Sequence, residues 1–181
     1  MVQSASGMVG DTVVFRTVRG QLQMANVPGK RTGKASQKQA AVQRKFQEAT
    51  KYAKKQISQP EFNTLYASGI TDKKHSAYLV AMNDYLIAPT VESIDTLNYR
   101  GVLGDVIVVK AIDDFMVTKV KVIITNAAGA IIEEGEAGPD VMRSNQWEYK
   151  ATATNSTLTG SKIRAVAYDR PGNTGKAEIL L

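Results

Sequence analysis

The chain has 181 residues, of which 43% are hydrophobic, and carries a formal net charge of +6. It contains no cysteine, which excludes disulfides, thiolate metal sites and a cysteine nucleophile. No stretch approaches the ~20 apolar residues of a transmembrane helix, and the N-terminus lacks the basic and apolar regions of a signal peptide. We expect no membrane association and a protein that is cytoplasmic on synthesis, with a virion or other assembled particle as an alternative destination.

The charge is divided unevenly along the chain. Residues 1–90 contain 13 Lys and Arg against 5 Asp and Glu, or +8, whereas residues 91–181 contain 10 against 12, or −2. A basic half joined to a mildly acidic half indicates two surfaces that meet different partners.

Residues 1–27 are predicted to form an extended arm or hairpin. The stretch 11–16 is rich in β-branched residues, Gly20 marks a turn, and residues 21–24 alternate in polarity. A two-stranded piece with so little covering material is not stable alone. It should therefore pack on the rest of the chain or on a neighbouring subunit.

Three helices are predicted after a basic Gly/Pro linker at residues 28–36. Ser36 is the predicted N-cap of a helix that ends near residue 57. The second helix covers residues 61–67, and the third begins at Ser76 and is stopped by Pro89. The third helix is mostly apolar and should pack on the stripe of the first. That stripe consists of Val42, Phe46, Ala49, Ala53 and Ile57.

From residue 91 the pattern has the period of two that is typical of strands. Pro171 and Gly172 indicate a tight turn in a hairpin that closes the chain. Seven short strands separated by turn residues predict an antiparallel β-sandwich. The predicted strands are residues 91–99, 105–112, 117–125, 130–136, 146–153, 161–168 and 175–181.

Residues 105–181 resemble a bacterial immunoglobulin-like domain of the kind repeated in surface and virion proteins. The likeness lies in the strands 106–111, 117–124 and 147–152, and in the closing segment Ala165–Asn173, which is similar to the A-x-D-x-x-G-N hairpin of such domains. Antibody-type domains differ, because this chain has no cysteine pair. Residues 7–57 also resemble the beginning of uncharacterised proteins of Bacteroidota and their phages, a likeness that implies no activity.

No constellation of residues points to catalysis. His75, the single histidine, is predicted to be a surface residue. Glu134 and Glu136 share one face of a strand, and with Glu133 they are interpreted as an acidic, solvated edge strand rather than a glycosidase pair. Trp147 is predicted to lie in the sandwich core rather than to stack on a sugar. Four carboxylates at strand ends could form a weak Ca²⁺ site, although no loop pattern supports one: Asp113, Asp114, Asp140 and Asp169.

The strongest functional pattern is a set of basic residues in the first third of the chain. We interpret the set as a solvated face, as a contact for an acidic protein surface in an assembly, or as a contact for nucleic acid. No helix-turn-helix spacing or zinc-finger ligand set accompanies it. The set is Arg16, Arg19, Lys30, Arg31, Lys34, Lys38, Arg44, Lys45, Lys51, Lys54 and Lys55.

The sequence thus predicts an α+β protein with two domains. Residues 1–90 would form a basic β-arm and helical region, and residues 91–181 an Ig-like β-sandwich of about seven strands. The expected function is a non-enzymatic structural or assembly protein, such as a phage virion or tail-like particle component, without cofactor or metal. The partners would be further copies of the chain or other assembly subunits. The alternatives are a nucleic-acid-binding architectural protein and a carbohydrate-binding, adhesin-like module.

Overall fold

The computed structural model describes residues 6–18, 20–27, 29 and 33–181. The chain divides into two compact units, residues 1–40 and residues 41–181. All but the first turn of the helical region therefore belongs to the same unit as the sheet of the second half, whereas the sequence places a boundary at residues 90/91. That boundary between two domains stays a prediction.

The first unit contains a three-stranded antiparallel sheet rather than a two-stranded arm. Its strands are β1 (Gly7–Val9), β2 (Val13–Val18) and β3 (Gln21–Asn26), in the order β1-β2-β3. Gly20 has a φ of +75° in the turn between β2 and β3, a backbone conformation that glycine adopts without steric cost. No described residue among positions 6–40 is buried.

Helix α1 (Gln37–Ile57) begins at the predicted cap. The Ser36 amide donates to Gln39 Oε1 at 2.9 Å, and the Gln39 amide donates to Ser36 Oγ at 3.3 Å, so a capping box satisfies two otherwise free amides. The predicted apolar stripe is only half covered. Ala49 and Ala53 are buried, but Val42 and Phe46 are 69% and 51% exposed, so the prediction that the whole stripe packs on the third helix is wrong.

Helices α2 (Pro60–Ala67) and α3 (Ala77–Leu86) complete the helical part. Ser76 caps α3 by accepting the Leu79 amide at 3.3 Å. A small core joins the three helices, because Ala53 of α1 and Tyr66 of α2 are buried with Val80 and Ala81 of α3. Phe115, from the β-region, packs against this core.

All seven predicted strands of the second half are present. They are β4 (Thr90–Asp95), β5 (Val106–Ile112), β6 (Lys119–Thr125), β7 (Ile131–Pro139), β8 (Gln146–Lys150), β9 (Lys162–Tyr168) and β10 (Thr174–Leu180). β4 ends four residues earlier than predicted, and the other ends agree within three residues. The strands form one antiparallel sheet in the order β10-β9-β6-β7-β8-β5-β4.

The sheet curls until its two ends approach one another. β7 connects the two halves, because it pairs with β6 up to Ala137 and with β8 at Gly138 and Pro139. At the far ends, Gly175 of β10 lies so close to the Pro89 carbonyl, just before β4, that a β-carbon would not fit. Alternate residues of β5, β6 and β9 are buried in the enclosed core, as the period of two predicts. The protein is α+β with a β-rich, nearly barrel-shaped core.

The closing hairpin of β9 and β10 is held by Asp169. Its carboxylate accepts the amides of Gly172 at 2.8 Å and Asn173 at 2.6 Å, and the Asn173 side-chain amide at 2.6 Å. Gly172 has a φ of +96°, which explains why a glycine occupies this position. The A-x-D-x-x-G-N pattern therefore has a physical basis, since Asp169 satisfies the amides of the turn.

Candidate functional site

The three-stranded sheet has one predominantly apolar face. Residues that are paired across an antiparallel sheet project to the same side, and the register pairs Val9 with Val13 and Phe15 with Met24. Leu22, paired with Thr17, lies on that side as well. We call the side chains of Val9, Val13, Phe15, Leu22 and Met24 the apolar face. Val9, Leu22 and Met24 are 62%, 51% and 69% exposed.

Among the described residues, no strand pairs with the outer edge of β3. The Val27 amide donates to the Thr12 carbonyl at 2.8 Å, which places that pair among the hydrogen-bonded pairs of the β2–β3 ladder. Hydrogen-bonded and non-hydrogen-bonded pairs alternate in an antiparallel ladder. Ala25, Gln23 and Gln21 therefore direct their backbone groups towards β2, and Leu22 and Met24 direct theirs outwards.

The basic residues of the predicted partner contact fall in different places. Arg19, Lys30 and Arg31 lie outside the described residues. Arg16 lies on β2, on the side opposite the apolar face, and is exposed. Lys34 and Lys38 are exposed before and within the first turn of α1.

Four basic residues of α1 share one face of the helix. At 100° per residue, Arg44, Lys51, Lys54 and Lys55 fall within an arc of about 100°, opposite the side that buries Ala49 and Ala53. All four side chains are exposed, and within the described part of the chain they form no ion pair. The arrangement can attract an anionic surface, and a role in partner contact stays a prediction.

Lys45 has an internal role instead. Its ammonium group donates to the Leu86 carbonyl at 2.9 Å, at the C-terminal end of α3. A cation at this end is stabilised by the free carbonyls and the helix dipole. Lys45 thus ties α1 to α3.

A buried carboxylate lies where the helices meet the sheet. Asp84 of α3 is fully buried and accepts a 2.6 Å hydrogen bond from the Tyr66 hydroxyl, which is 2.8 Å from the Tyr52 hydroxyl. The second carboxylate oxygen, Oδ1, has no hydrogen-bond partner among the described residues. The closing hairpin contributes Asn173, whose side-chain amide donates to the backbone carbonyls of Asp84 and Tyr85 at 3.3 and 3.2 Å.

Burial raises the pKa of the Asp84 carboxyl to about 7, while the Tyr66 hydrogen bond opposes the rise and the nearby carboxylates of Asp113 and Asp169 add to it. Burial, followed by the hydrogen bond to Asp84, raises the pKa of Tyr66 well above its usual range. Further contacts brace the same junction. Lys74 forms a 2.7 Å ion pair with Asp114, and the Arg170 guanidinium lies 4.1 Å from the centre of the Phe62 ring.

Glu133 is buried, so its interpretation as part of a solvated strand is wrong. Its Oε2 accepts hydrogen bonds from the Tyr149 hydroxyl at 2.9 Å, from the amide and hydroxyl of Thr152 at 2.7 and 2.8 Å, and from the Ala153 amide at 3.2 Å. The Glu133 carboxylate thus accepts the backbone amides that follow the end of β8. Burial, with the hydrogen bond to Glu133, raises the pKa of Tyr149 to about 12. Glu134 and Glu136 are exposed as predicted and pair with Lys121 and Lys119.

The four carboxylates of the weak Ca²⁺ site serve separate local structures. Asp113 accepts the amides of Phe115 and Met116, and Asp140 accepts those of Met142 and Arg143. Asp114 pairs with Lys74, and Asp169 holds the closing turn. Among the described residues no group of three or more His, Cys, Asp or Glu side chains could hold a metal ion. His75 is exposed, as predicted.

Trp147 is half-buried and packs against the β-core, so the prediction that it lies in the core is confirmed only in part. It lines a depression of about 220 Å³ together with Phe115, Asp113, Asp140 and Asn145. An indole beside carboxylate and amide groups is chemically suited to binding a sugar ring.

Comparisons with known proteins place few limits on the function. No family model matches the chain, and no curated protein matches it. Among solved structures, the chain is similar to a crystal structure of a tetra-tandem repeat in the extending region of a large adhesion protein. The identity is 21% and the TM-score 0.30, over 52% of this chain and 24% of that one. Neither virion membership nor nucleic-acid binding gains support, and the Ig-like resemblance stays a proposal.

The residues that sequence reasoning missed are Asp84, Glu133 and the edge of β3. Asp84 is the single charged residue in the otherwise uncharged stretch from Ser76 to Ala88, a pattern that indicates a buried and hydrogen-bonded carboxylate. The edge could also have been noticed, because β3 has neither a charge nor a proline. No helix of the described residues is long and apolar enough to cross a membrane.

Proposed function

We propose that this chain is a non-enzymatic assembly protein in which the N-terminal sheet docks on another subunit and residues 41–181 form the scaffold. The observation that carries the proposal is the apolar face, which no described residue of the first unit buries. Apolar side chains that stay in water contribute no free energy of burial, so the sheet gains stability when this face is covered. A partner subunit supplies that cover.

The scaffold role is supported by the connectivity of the seven strands. β4, β5 and β8 are neighbours, as are β10, β9, β6 and β7. Immunoglobulin-type domains place their first, second and fifth strands on one side and their third, sixth and seventh on the other. We therefore propose that residues 91–181 are an Ig-like domain.

Deletion of residues 1–27 tests the assembly proposal. The remaining chain keeps α1 with its cap and both cores, so its circular dichroism and its Trp147 fluorescence should show a folded protein. Its mass by light scattering should fall to that of one chain, while the full-length protein, at 19.6 kDa per chain, should have a multiple of that mass. An unchanged mass after the deletion would count against the proposal.

A second candidate is the carbohydrate-binding module, favoured by the Trp147 depression. Sugar binding there would shield the indole, so a panel of oligosaccharides should reduce quenching of Trp147 by acrylamide. Asp140→Ala, which alters the depression and not the apolar face, should abolish this protection. If no sugar changes the quenching, this candidate is eliminated and the assembly proposal is unaffected.

A further inference from the structure

The outer edge of β3 is unusually open to pairing. Its six residues, Gln21–Asn26, are all exposed and include no charge and no proline. Monomeric proteins protect edge strands with lysines, prolines, bulges or covering loops. Strand β1, at the opposite edge of the sheet, has only three residues and therefore offers little to a partner.

The sequence of β3 is self-complementary around Gln23. When two copies run antiparallel and cross at this residue, Leu22 faces Met24 of the other copy and Gln23 faces its own counterpart. The outward-directed backbone groups of Leu22 and Met24 then make about four hydrogen bonds with the other copy. Apolar side chains meet apolar side chains, and amide meets amide.

We propose that β3 pairs in this antiparallel manner with β3 of a second copy of the chain, which produces one six-stranded sheet. The inference rests on the proposed assembly function and adds a second contact to the one that covers the apolar face, between two copies of the chain at the edge of β3. Both copies of the apolar face then lie on the same side, since the paired residues Leu22 and Met24 belong to it.

The apolar face is too small for two copies to associate stably by stacking their three-stranded sheets face to face. Three strands about 4.8 Å apart and about 20 Å long present a face of about 300 Å². Two such faces would bury about 600 Å², half of what a stable interface needs. Edge pairing instead gains backbone hydrogen bonds and places the two apolar faces side by side, as one uncovered face of about 600 Å² that the further subunits of the proposed assembly would cover.

Electrostatic repulsion does not oppose the pairing. Arg16 is the charged residue of β2 and lies opposite Gln23. In the paired sheet the two copies of Arg16 are three strand spacings apart, or about 14 Å. That distance exceeds the Debye length of about 8 Å at physiological ionic strength, so the repulsion is largely screened.

Single cysteines test the contact directly, because the natural chain has none. Gln23→Cys places two thiols opposite each other across the two-fold axis, within the Cα separation that a disulfide requires. Mild oxidation should therefore yield a covalent dimer of twice 19.6 kDa. Thr17→Cys, on the central strand and also exposed, should remain monomeric under the same conditions.

A lysine on the edge provides a second measurement that does not depend on thiol chemistry. Met24→Lys should halve the mass in light scattering, because charge on an edge strand blocks pairing. Met8→Lys, at a side chain of similar exposure on β1, should leave the mass unchanged.

The outcomes separate the contact from the function. Cross-linking through Thr17→Cys but not Gln23→Cys would indicate stacked faces and overturn edge pairing. If deletion of residues 1–27 lowers the mass while neither cysteine cross-links and Met24→Lys has no effect, the edge inference fails and the assembly function stands. If the deletion leaves the mass unchanged, the assembly function fails and the inference fails with it.

Discussion

Replacement of the buried carboxylate, Asp84→Asn, should remove a large part of the pH dependence of stability. Asp84 ionises with a pKa of about 7 in the folded protein, against an ordinary aspartate pKa of 3.8. Between these values the folded chain retains a proton that the unfolded chain has released. Raising the pH through this window therefore lowers the free energy of unfolding, and the full stabilising contribution is present only below about pH 4.

The magnitude follows from the size of the shift. A rise of about three pH units corresponds to about 4 kcal/mol between acidic and neutral pH. The asparagine side chain of the variant would still accept the Tyr66 hydroxyl through its carbonyl oxygen. Its amide group would occupy the place of the unpartnered Oδ1 and lower stability by about 1–3 kcal/mol at every pH. This loss is independent of pH and does not alter the slope.

Urea unfolding, followed by Trp147 fluorescence from pH 4 to pH 8, measures the effect. The difference in unfolding free energy between the variant and the natural chain should move in favour of the variant by up to about 4 kcal/mol over this range. Tyr66→Phe is the matched control. This variant keeps Asp84 buried but removes the hydrogen bond that favours its ionisation. The pH range over which the free energy of unfolding changes should therefore extend to higher pH. If the free energies of unfolding of Asp84→Asn and of the natural chain changed in parallel with pH, the reasoning would be refuted.

Two further predictions concern carboxylates that hold backbone amides. Asp169→Ala leaves the amides of Gly172 and Asn173 without their acceptor and should lower the unfolding free energy by about 2–4 kcal/mol; a loss below about 0.5 kcal/mol in thermal unfolding would contradict the role given to this side chain. Glu133→Ala should lower it by a similar amount, because the buried Tyr149 hydroxyl and the amides of Thr152 and Ala153 lose their acceptor, whereas Glu134→Ala, at an exposed ion pair with Lys121, should change it by less than about 1 kcal/mol. Equal losses for the two glutamate variants in urea unfolding would show that burial of Glu133 is unimportant.

The strands were predictable because their pattern is local. Val120, Val122 and Ile124 alternate with partly exposed residues, and all three are fully buried in the structure. The turn at Gly172 was predictable for the same reason, since its conformation depends on four consecutive residues. Neither feature requires knowledge of which elements meet in space.

The predictions that the structure does not fully confirm depend on contacts between residues that are distant in sequence. Val42 and Phe46 have the spacing of buried residues, but α3 has only ten residues and packs against α1 beyond them. Glu133 is adjacent to two solvated glutamates in sequence, and only the approach of Tyr149 and Thr152 makes it a buried acceptor. The predicted sandwich is confirmed as an antiparallel, β-rich core, but its seven strands form one continuous sheet because β7 pairs with β6 along one part and with β8 along another.

The two units bury their apolar residues to different extents, so their stabilities are expected to depend differently on protein concentration. The β-core of residues 91–181 is covered by its own chain, so its stability is independent of how many copies are present. No described residue of the first unit buries the apolar face of β1–β3, and any partner that binds the folded sheet in preference to its unfolded form stabilises it by mass action. Under the proposed function, folding and association of this sheet would be one equilibrium, in which the contact between subunits supplies the free energy of folding. With this coupling, a single charge on the edge of β3, such as that of Met24→Lys, would dissociate the proposed assembly while the scaffold remains folded.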